Sequence, residues 1–182
     1  MLASAEAIHR KAVGIVKQCD TRDMEKIAQA LGIYLHYNNE FTELLGMYVY
    51  HQKERHIILN SHMEDMVSKM VCAHEIGHDC LHRGGARKSC LQEFVLFDMR
   101  NSMEYEANAF ASHLLVDDDE LAGLLEQGYD VVQIASAMET NVNLVLIKLN
   151  ELNRMGWHFD LPYVPRSDFL RRIKTTGYPI EQ

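Results

Sequence analysis

Apolar residues recur every three to four positions along most of this chain, which is the spacing that places them on one face of an α-helix. The pattern predicts a helix over each of seven stretches: residues 3–18, 21–31, 63–82, 102–115, 121–127, 130–139 and 142–155. Shorter stretches rich in β-branched and aromatic residues predict strands at residues 33–37, 44–51 and 56–60. These elements predict an α+β fold in which a small three-stranded antiparallel sheet packs against the third and fourth helices.

The element types change along the chain. Strands and helices are mixed up to about residue 120, whereas only helical patterns follow. We therefore expect one domain over residues 1–120 and an all-helical extension over residues 121–182, whose apolar spacing resembles a helix-turn-helix. Gly84-Gly85 is expected to end the third helix, and the apolar run 94–97 to form a strand or a buried loop.

The composition is that of a soluble globular protein, with 182 residues, 47% hydrophobic and 24% charged, and a net charge of −8. This charge argues against a general binder of nucleic acid. No apolar run is long enough for a membrane-spanning helix, and charges interrupt the first 20 residues, unlike a signal peptide. We expect a cytoplasmic protein with no membrane partner and with reduced cysteines.

One stretch, His74-Glu75-Ile76-Gly77-His78, carries recognisable chemistry. It lies in the third predicted helix, where two imidazoles four residues apart share one face. Both fall within the apolar stripe of that helix, so they need hydrogen bonds or a metal to compensate for burial. The spacing predicts one zinc ion held by His74 and His78, with Glu75 as the general base that takes a proton from a water on the metal.

Three neighbouring side chains fit a ligand role less well. Cys72 and Cys80 project about 200° and 120° away from His74 on a helix of 3.6 residues per turn, so we interpret them as packing thiols. His82 lies about 12 Å of helical rise beyond His74, too far to share one ion unless the helix breaks.

A catalytic zinc ion needs a third protein ligand, and the helix over residues 102–115 offers two acids. Glu104 projects within about 40° of the centre of its apolar stripe, whereas Glu106 lies about 120° from it. A buried carboxylate needs a cation, so Glu104 is the better ligand, although Glu106 stays open. Asn108, one turn later, is expected to accept the outer N–H of a ligating histidine.

At this point the motifs resemble those of the ImmA/IrrE family of intracellular metallopeptidases. Residues 27–33 are similar to the family's opening helix and strand, residues 74–82 to its zinc helix, and residues 104–111 to its Glu-x-Glu-Ala-Asn/Asp-x-Phe-Ala signature. The resemblance implies a gluzincin-like site with one zinc ion and favours Glu104 over Glu106. Asn108 stands where an aspartate often does, which implies a weaker outer contact.

The resemblance also implies a function. Such proteins typically belong to mobile elements or stress-response systems, where they cut a helix-turn-helix repressor and relieve repression. We therefore expect a zinc-dependent endopeptidase whose protein partner is such a repressor. The alternative is an antirepressor that binds a repressor or DNA through the C-terminal helices, with zinc structural or absent. Direct DNA binding is possible but is not the expectation.

Two finer expectations concern the substrate. The strand at residues 56–60 precedes the zinc helix and offers either an edge for pairing with an extended peptide or an ordinary core strand. An extra donor to the developing oxyanion is expected from one of four side chains: Tyr105, His113, His158 or Tyr163.

Overall fold

The computed structural model describes residues 3–86, 102–159 and 161, and its elements follow the predicted order. These ranges contain α1 Ala5–Cys19, α2 Met24–Ala30, β1 Tyr34–Asn38, β2 Gly46–His51, β3 Glu54–Asn60, α3 Asp65–Ala86, α4 Ser102–Leu115, α5 Asp118–Glu126, α6 Val131–Ala137 and α7 Val142–Arg154. The predicted α+β class is confirmed. The predicted strand or loop at residues 94–97 lies outside the described residues.

The sheet has the strand order β1-β3-β2 and is mixed, so the prediction of an antiparallel sheet is wrong for one of its two pairings. β2 and β3 do pair antiparallel, through a turn in which Gln52 and Lys53 have φ angles of 50° and 70°. Positive φ at both central residues is the mark of a type I′ hairpin. β1 pairs parallel to β3, which becomes the central strand and buries Ile57 and Leu59.

Asn60 gives the physical reason for this strand order. A meander would need a tight turn between β1 and β2, but residues 39–45 form a longer loop there. The buried Asn60 amide donates to the carbonyl oxygens of Phe41 and Leu44, 3.0 Å from each. The loop is thereby fastened to the end of β3, and β2 returns on the far side of that strand.

Capping side chains and glycines set several helix boundaries. Asp23 caps α2, and its side chain accepts from the backbone N–H groups of Glu25 and Lys26 in the first turn. Gly32 follows that helix with a φ of 70°, the left-handed conformation common after a helix end. The third helix is predicted to end at Gly84-Gly85, but it continues through both glycines to Ala86.

A buried polar network fastens α3 to the sheet. Asp79 accepts hydrogen bonds from the Tyr48 hydroxyl at 2.7 Å, from Arg55 at 3.1 Å and from Arg83 at 2.7 Å. Arg55 also donates to the carbonyl of Leu31 beyond the end of α2. Burial and the Asp79 carboxylate raise the pKa of Tyr48, which keeps its hydroxyl protonated as a donor. The network ties together α2, two strands and the helix that carries the His-Glu-x-x-His motif.

The apolar core has two parts. The larger lies among the sheet and α1 to α4, and the smaller lies beneath α5 to α7. Helix α7 also packs directly against α4, which joins the parts. The domain boundary at residue 120 stays a prediction. Among the described residues, no helix has the length and apolar character needed to cross a membrane.

Candidate metal centre

Gly77 allows α3 and α4 to cross at very short range. A Cβ atom at this position would lie 3.0 Å from the Ala107 carbonyl oxygen and 3.3 Å from the Phe110 Cβ. A larger residue would therefore hold the two helices apart. The close crossing brings the side chains of His74 and His78, on α3, against Glu104 on α4.

Three side chains converge at this crossing and are almost fully buried: His74 is 1% exposed, His78 3% and Glu104 2%. The Glu104 Oε2 atom lies 3.2 Å from the Nε2 of His74 and 3.4 Å from the Nε2 of His78. The two Nε2 atoms are 2.9 Å apart. Two imidazole nitrogens and one carboxylate oxygen thus face a common point, as ligands of one ion would.

The protonation states at this point suit a cation. Burial alone raises the pKa of the Glu104 carboxyl, but the two imidazoles against its oxygen outweigh burial and hold that pKa below its ordinary value. Burial lowers the pKa of His78, so its imidazole is neutral at pH 7. An ionised carboxylate beside a neutral imidazole is the state in which these groups bind a metal.

Glu104 also provides a test of whether the residues fit a metal ion. Both of its oxygens are buried, and no described residue donates a well-formed hydrogen bond to either of them. A buried carboxylate without donors is costly unless a cation compensates it. Two imidazoles and one carboxylate are the protein donors of several catalytic zinc sites, which leave one position for water. The residues present therefore fit a zinc ion.

Each histidine has a polar partner on its outer side. The Nδ1–H of His74 donates to the Asn108 Oδ1 at 3.0 Å. The Nδ1 of His78 lies 3.1 Å from the Nδ1 of His82, and the Nε2 of His82 lies 3.0 Å from the Glu106 Oε2. Glu106 thus faces His82 and stands apart from the three converging donors. The contact between His78 and His82 escaped the sequence analysis, although their spacing of four residues was a usable signal.

The side chain of Glu75, on α3, lies beside the first residue of β2. It is 3% exposed, and a Cβ atom on Gly46 would lie 3.5 Å from its Oε1 and 2.6 Å from the Val71 Cγ1. The missing side chain of Gly46 lets β2 approach α3 closely. β3 cannot offer the edge considered from the sequence, because it is paired on both sides. Within the described sheet, β2 is an edge strand, and its first residue, Gly46, lies beside Glu75.

The other candidates from the sequence lie elsewhere. Burial raises the pKa of Cys72 to about 12 and that of Cys80 to about 11, so neither thiol is ionised at neutral pH. The Tyr105 hydroxyl donates to Glu151 at 2.6 Å. His113 lies against Lys148, and its Nδ1 is 2.9 Å from the Lys148 Nζ.

Tyr163 lies outside the described residues, and His158 follows α7 on an exposed segment. None of the oxyanion candidates that the structure describes is joined to the converging donors by a described hydrogen bond.

A His-Glu-x-x-His helix beside a third carboxylate and a small sheet is typical of metallopeptidases. Comparison with known proteins agrees with this class. Residues 28–150 match the peptidase M78 family, whose model is described as the IrrE N-terminal-like domain. The match spans more than half of the chain, and the chain belongs to this family. The resemblance found in the motifs is thereby confirmed.

A phage protein is also similar to this chain. It is named uncharacterized immunity region protein 2, from Bacillus phage phi105, and is 32% identical over 104 residues. The alignment covers 57% of this chain and 65% of the phage protein, so the chain spans slightly less than two thirds of that relative.

Proposed function

We propose that this protein is a zinc-dependent endopeptidase that acts in the cytoplasm and cuts a helix-turn-helix transcriptional repressor. The observation that carries the proposal is the convergence of His74, His78 and Glu104 on one buried point, with the Glu104 oxygens lacking hydrogen-bond donors among the described residues. Such a point needs a cation, and the donor set suits zinc. Membership of a peptidase family supports the same reaction class.

In this proposal, His74, His78 and Glu104 hold one zinc ion. When bound there, a zinc ion would supply a positive charge that polarises the substrate carbonyl and lowers the pKa of water toward about 7. Glu75 follows His74 on the same helix and lies beside Gly46 of β2, and it accepts the proton of the attacking water. The same carboxyl then donates that proton to the amine nitrogen that leaves when the peptide bond breaks. Asn108 keeps His74 in the tautomer whose Nε2 faces the centre.

The substrate is placed by the free edge of β2. An extended peptide can pair with an open strand edge through backbone hydrogen bonds, which gives affinity without demanding a particular sequence. Gly46, at the start of β2, lies beside the Glu75 carboxylate. A peptide on this edge would therefore run past the catalytic base, which the buried strand β3 does not allow.

A repressor is the proposed partner for two reasons. The motifs resemble those of the ImmA/IrrE family, and the similar phage protein is named for an immunity region. We assign the helical extension a packing role, because α6 and α7 share a buried core with α5.

The decisive experiment incubates the protein with the helix-turn-helix repressor encoded beside its gene and separates the products on a gel. We expect two repressor fragments with the wild-type protein and zinc, and none after chelation. Glu75→Gln should retain zinc while cleavage slows by a factor of about 10² to 10⁴, the usual contribution of a general base. Asp65→Asn, an exposed acid on the same helix, is the matched control and should cleave normally.

The result also separates the enzyme from a regulator that acts by binding. One outcome would show that the proposed peptidase activity is wrong. In it, the repressor leaves its operator without being cut, and Glu75→Gln relieves repression as well as wild type does. Full cleavage by Glu75→Gln would likewise overturn the role of that residue.

A further inference from the structure

A line of buried polar groups extends outward from His78, away from the converging donors. The Nδ1 of His78 lies 3.1 Å from the Nδ1 of His82, and the Nε2 of His82 lies 3.0 Å from the Glu106 Oε2. The last member of the line is the Ala3 backbone N–H, which donates to the Glu106 Oε1 at 2.8 Å. Glu106 is 8% exposed. The line runs from α3 to α4 and ends on the segment before α1. Two of its members, His82 and Glu106, have no part in the mechanism above.

The direction of the hydrogen bonds along this line follows from its outer end. Both Glu106 oxygens accept, one from Ala3 and one from His82, so the Nε2 of His82 carries a proton. Its other ring nitrogen, Nδ1, lies 3.1 Å from the Nδ1 of His78, so one of these two nitrogens donates and the other accepts.

The inner end is then determined as well. A His78 that ligates a metal through Nε2 carries its proton on Nδ1, so this Nδ1 donates to the Nδ1 of His82. A neutral His78 that donates through Nδ1 keeps a bare Nε2. That bare nitrogen is the atom that faces His74 and Glu104.

The partner of the other histidine is chemically different. His74 donates to Asn108, whose amide oxygen is neutral. His78 instead donates to an imidazole that is itself hydrogen-bonded to a carboxylate. A carboxylate behind a ligating imidazole fixes its tautomer and raises its basicity. Here that carboxylate acts through a second histidine.

We propose that His82 and Glu106 are positioning residues for metal binding, which hold His78 with its Nε2 lone pair directed at the ion. The inference rests on the proposed zinc site, and it assigns no contact between these two residues and the ion. It explains why a histidine too far along the helix to be a ligand is nevertheless buried beside one. It also gives the second acid of the α4 motif a function distinct from that of Glu104.

The test measures the zinc dissociation constant by competition with a chromophoric chelator. His82→Leu keeps the apolar volume but cannot accept a proton from His78, and we expect zinc affinity to fall about 10- to 100-fold. His82→Gln is the rescue variant, because its amide oxygen can accept from His78 while its NH₂ donates to Glu106. We expect its affinity within a few-fold of wild type. A purely packing role for His82 predicts the reverse order.

Glu106→Gln provides an independent variant if His82→Leu does not fold. Its amide can donate to His82 and so reverse the tautomer, which would set two N–H groups against each other at His78. We expect a loss of zinc affinity similar to that of His82→Leu. Glu151→Gln is the matched control, since Glu151 is also a buried acid and accepts from the Tyr105 hydroxyl, a contact between α7 and α4. It should lose stability without losing zinc affinity.

The outcomes distinguish this inference from the function on which it rests. Wild-type protein that binds zinc and cleaves, with His82→Leu and Glu106→Gln equal to it in zinc affinity, would overturn the positioning role alone. Wild-type protein with no measurable zinc affinity would overturn the proposed metal site and this inference together. The altered absorption of a cobalt-substituted His82→Leu protein, with recovery in His82→Gln, would support the inference without any measurement of cleavage.

Discussion

Two clusters in this molecule hold nearly the same side chains and differ in what neutralises them. One is His74, His78 and Glu104. The other is His9, His113 and Asp118, which we call the α5 cluster because Asp118 begins that helix. Each combines two imidazoles and one carboxylate whose ligand atoms lie within 4.8 Å of one another.

The difference between the clusters is one lysine. In the α5 cluster the fully buried Lys148 Nζ lies 2.9 Å from the His113 Nδ1 and forms an ion pair with Asp118, which also binds the His9 Nε2 at 2.6 Å. Around Glu104, the ion-pair partners among the described residues are imidazoles. The α5 cluster thus contains its own cation, whereas no lysine or arginine pairs with Glu104 among the described residues. A set of ligand-type residues is therefore insufficient evidence of a metal site until the fixed charges around it are counted.

The largest expected effect comes from removing the carboxylate of each cluster. Glu104→Gln should lower zinc affinity by more than about 100-fold, beyond what loss of an outer partner costs, and abolish cleavage. Asp118→Asn should leave one zinc ion per chain. Metal analysis after dialysis measures both. A wild-type protein that binds two zinc ions, one of which is lost in Asp118→Asn, would contradict the distinction.

Removing the internal cation should instead affect stability. Lys148→Met leaves Asp118 without its buried partner, and we expect unfolding in urea to become easier by about 2 to 4 kcal/mol. The cost falls below that of a fully buried pair because the Asp118 side chain is 32% exposed. The double variant Lys148→Met/Asp118→Asn should recover part of the loss. Zinc content unchanged from wild type would complete the contrast, and an unchanged free energy of unfolding would contradict it.

A change at the helix crossing should affect one cluster and spare the other. Gly77→Ala places a methyl group 3.0 Å from the Ala107 carbonyl oxygen, so α3 and α4 must separate. We expect a loss of stability of about 1 to 3 kcal/mol together with weaker zinc binding. Gly84→Ala, on the same helix with nothing within 4 Å of the new methyl group, is the matched control. It should be neutral or stabilising by about 0.5 to 1 kcal/mol.

The smallest effect is a pH dependence that belongs to the α5 cluster. Burial and the charges of Lys148 and His9 lower the pKa of His113 to about 2, while Asp118 opposes the shift. In the unfolded chain His113 therefore takes up a proton near pH 6.5, whereas in the folded chain it stays neutral. The folded state consequently loses stability as the pH falls. We expect a loss of about 1 kcal/mol between pH 6.5 and about pH 5.5 from this group. His113→Gln should lack that part of the slope when both proteins are unfolded in excess chelator.

Local patterns predict well the features that depend on one helix at a time. The apolar stripe places both histidines of the motif on a buried face, and the same reasoning selects Glu104 over Glu106 as the acid that faces the crossing. The bounds of α4, Ser102–Leu115, match the prediction because its apolar spacing is unbroken.

Features that depend on distant residues are not encoded in this way. The strand order follows from Asn60 binding a loop 16 to 19 residues away, which no alternation of residue types reveals. The bond from His9 to Asp118 joins residues 109 positions apart. The helical rise from His74 argues against His82 as a third histidine ligand, but it does not show which partner the far nitrogen of His82 meets.

The Asp79 network has a consequence for how the centre is assembled. Asp79 follows His78 directly, and its bonds to Tyr48, Arg55 and Arg83 do not involve a metal. The backbone that presents His74 and His78 is thus held by contacts that need no metal, whereas zinc fingers unfold without metal. We expect chelated protein to keep its helical circular dichroism and to regain full cleavage when zinc is restored. The availability of zinc would then act on this protein as a reversible switch that leaves the folded chain intact.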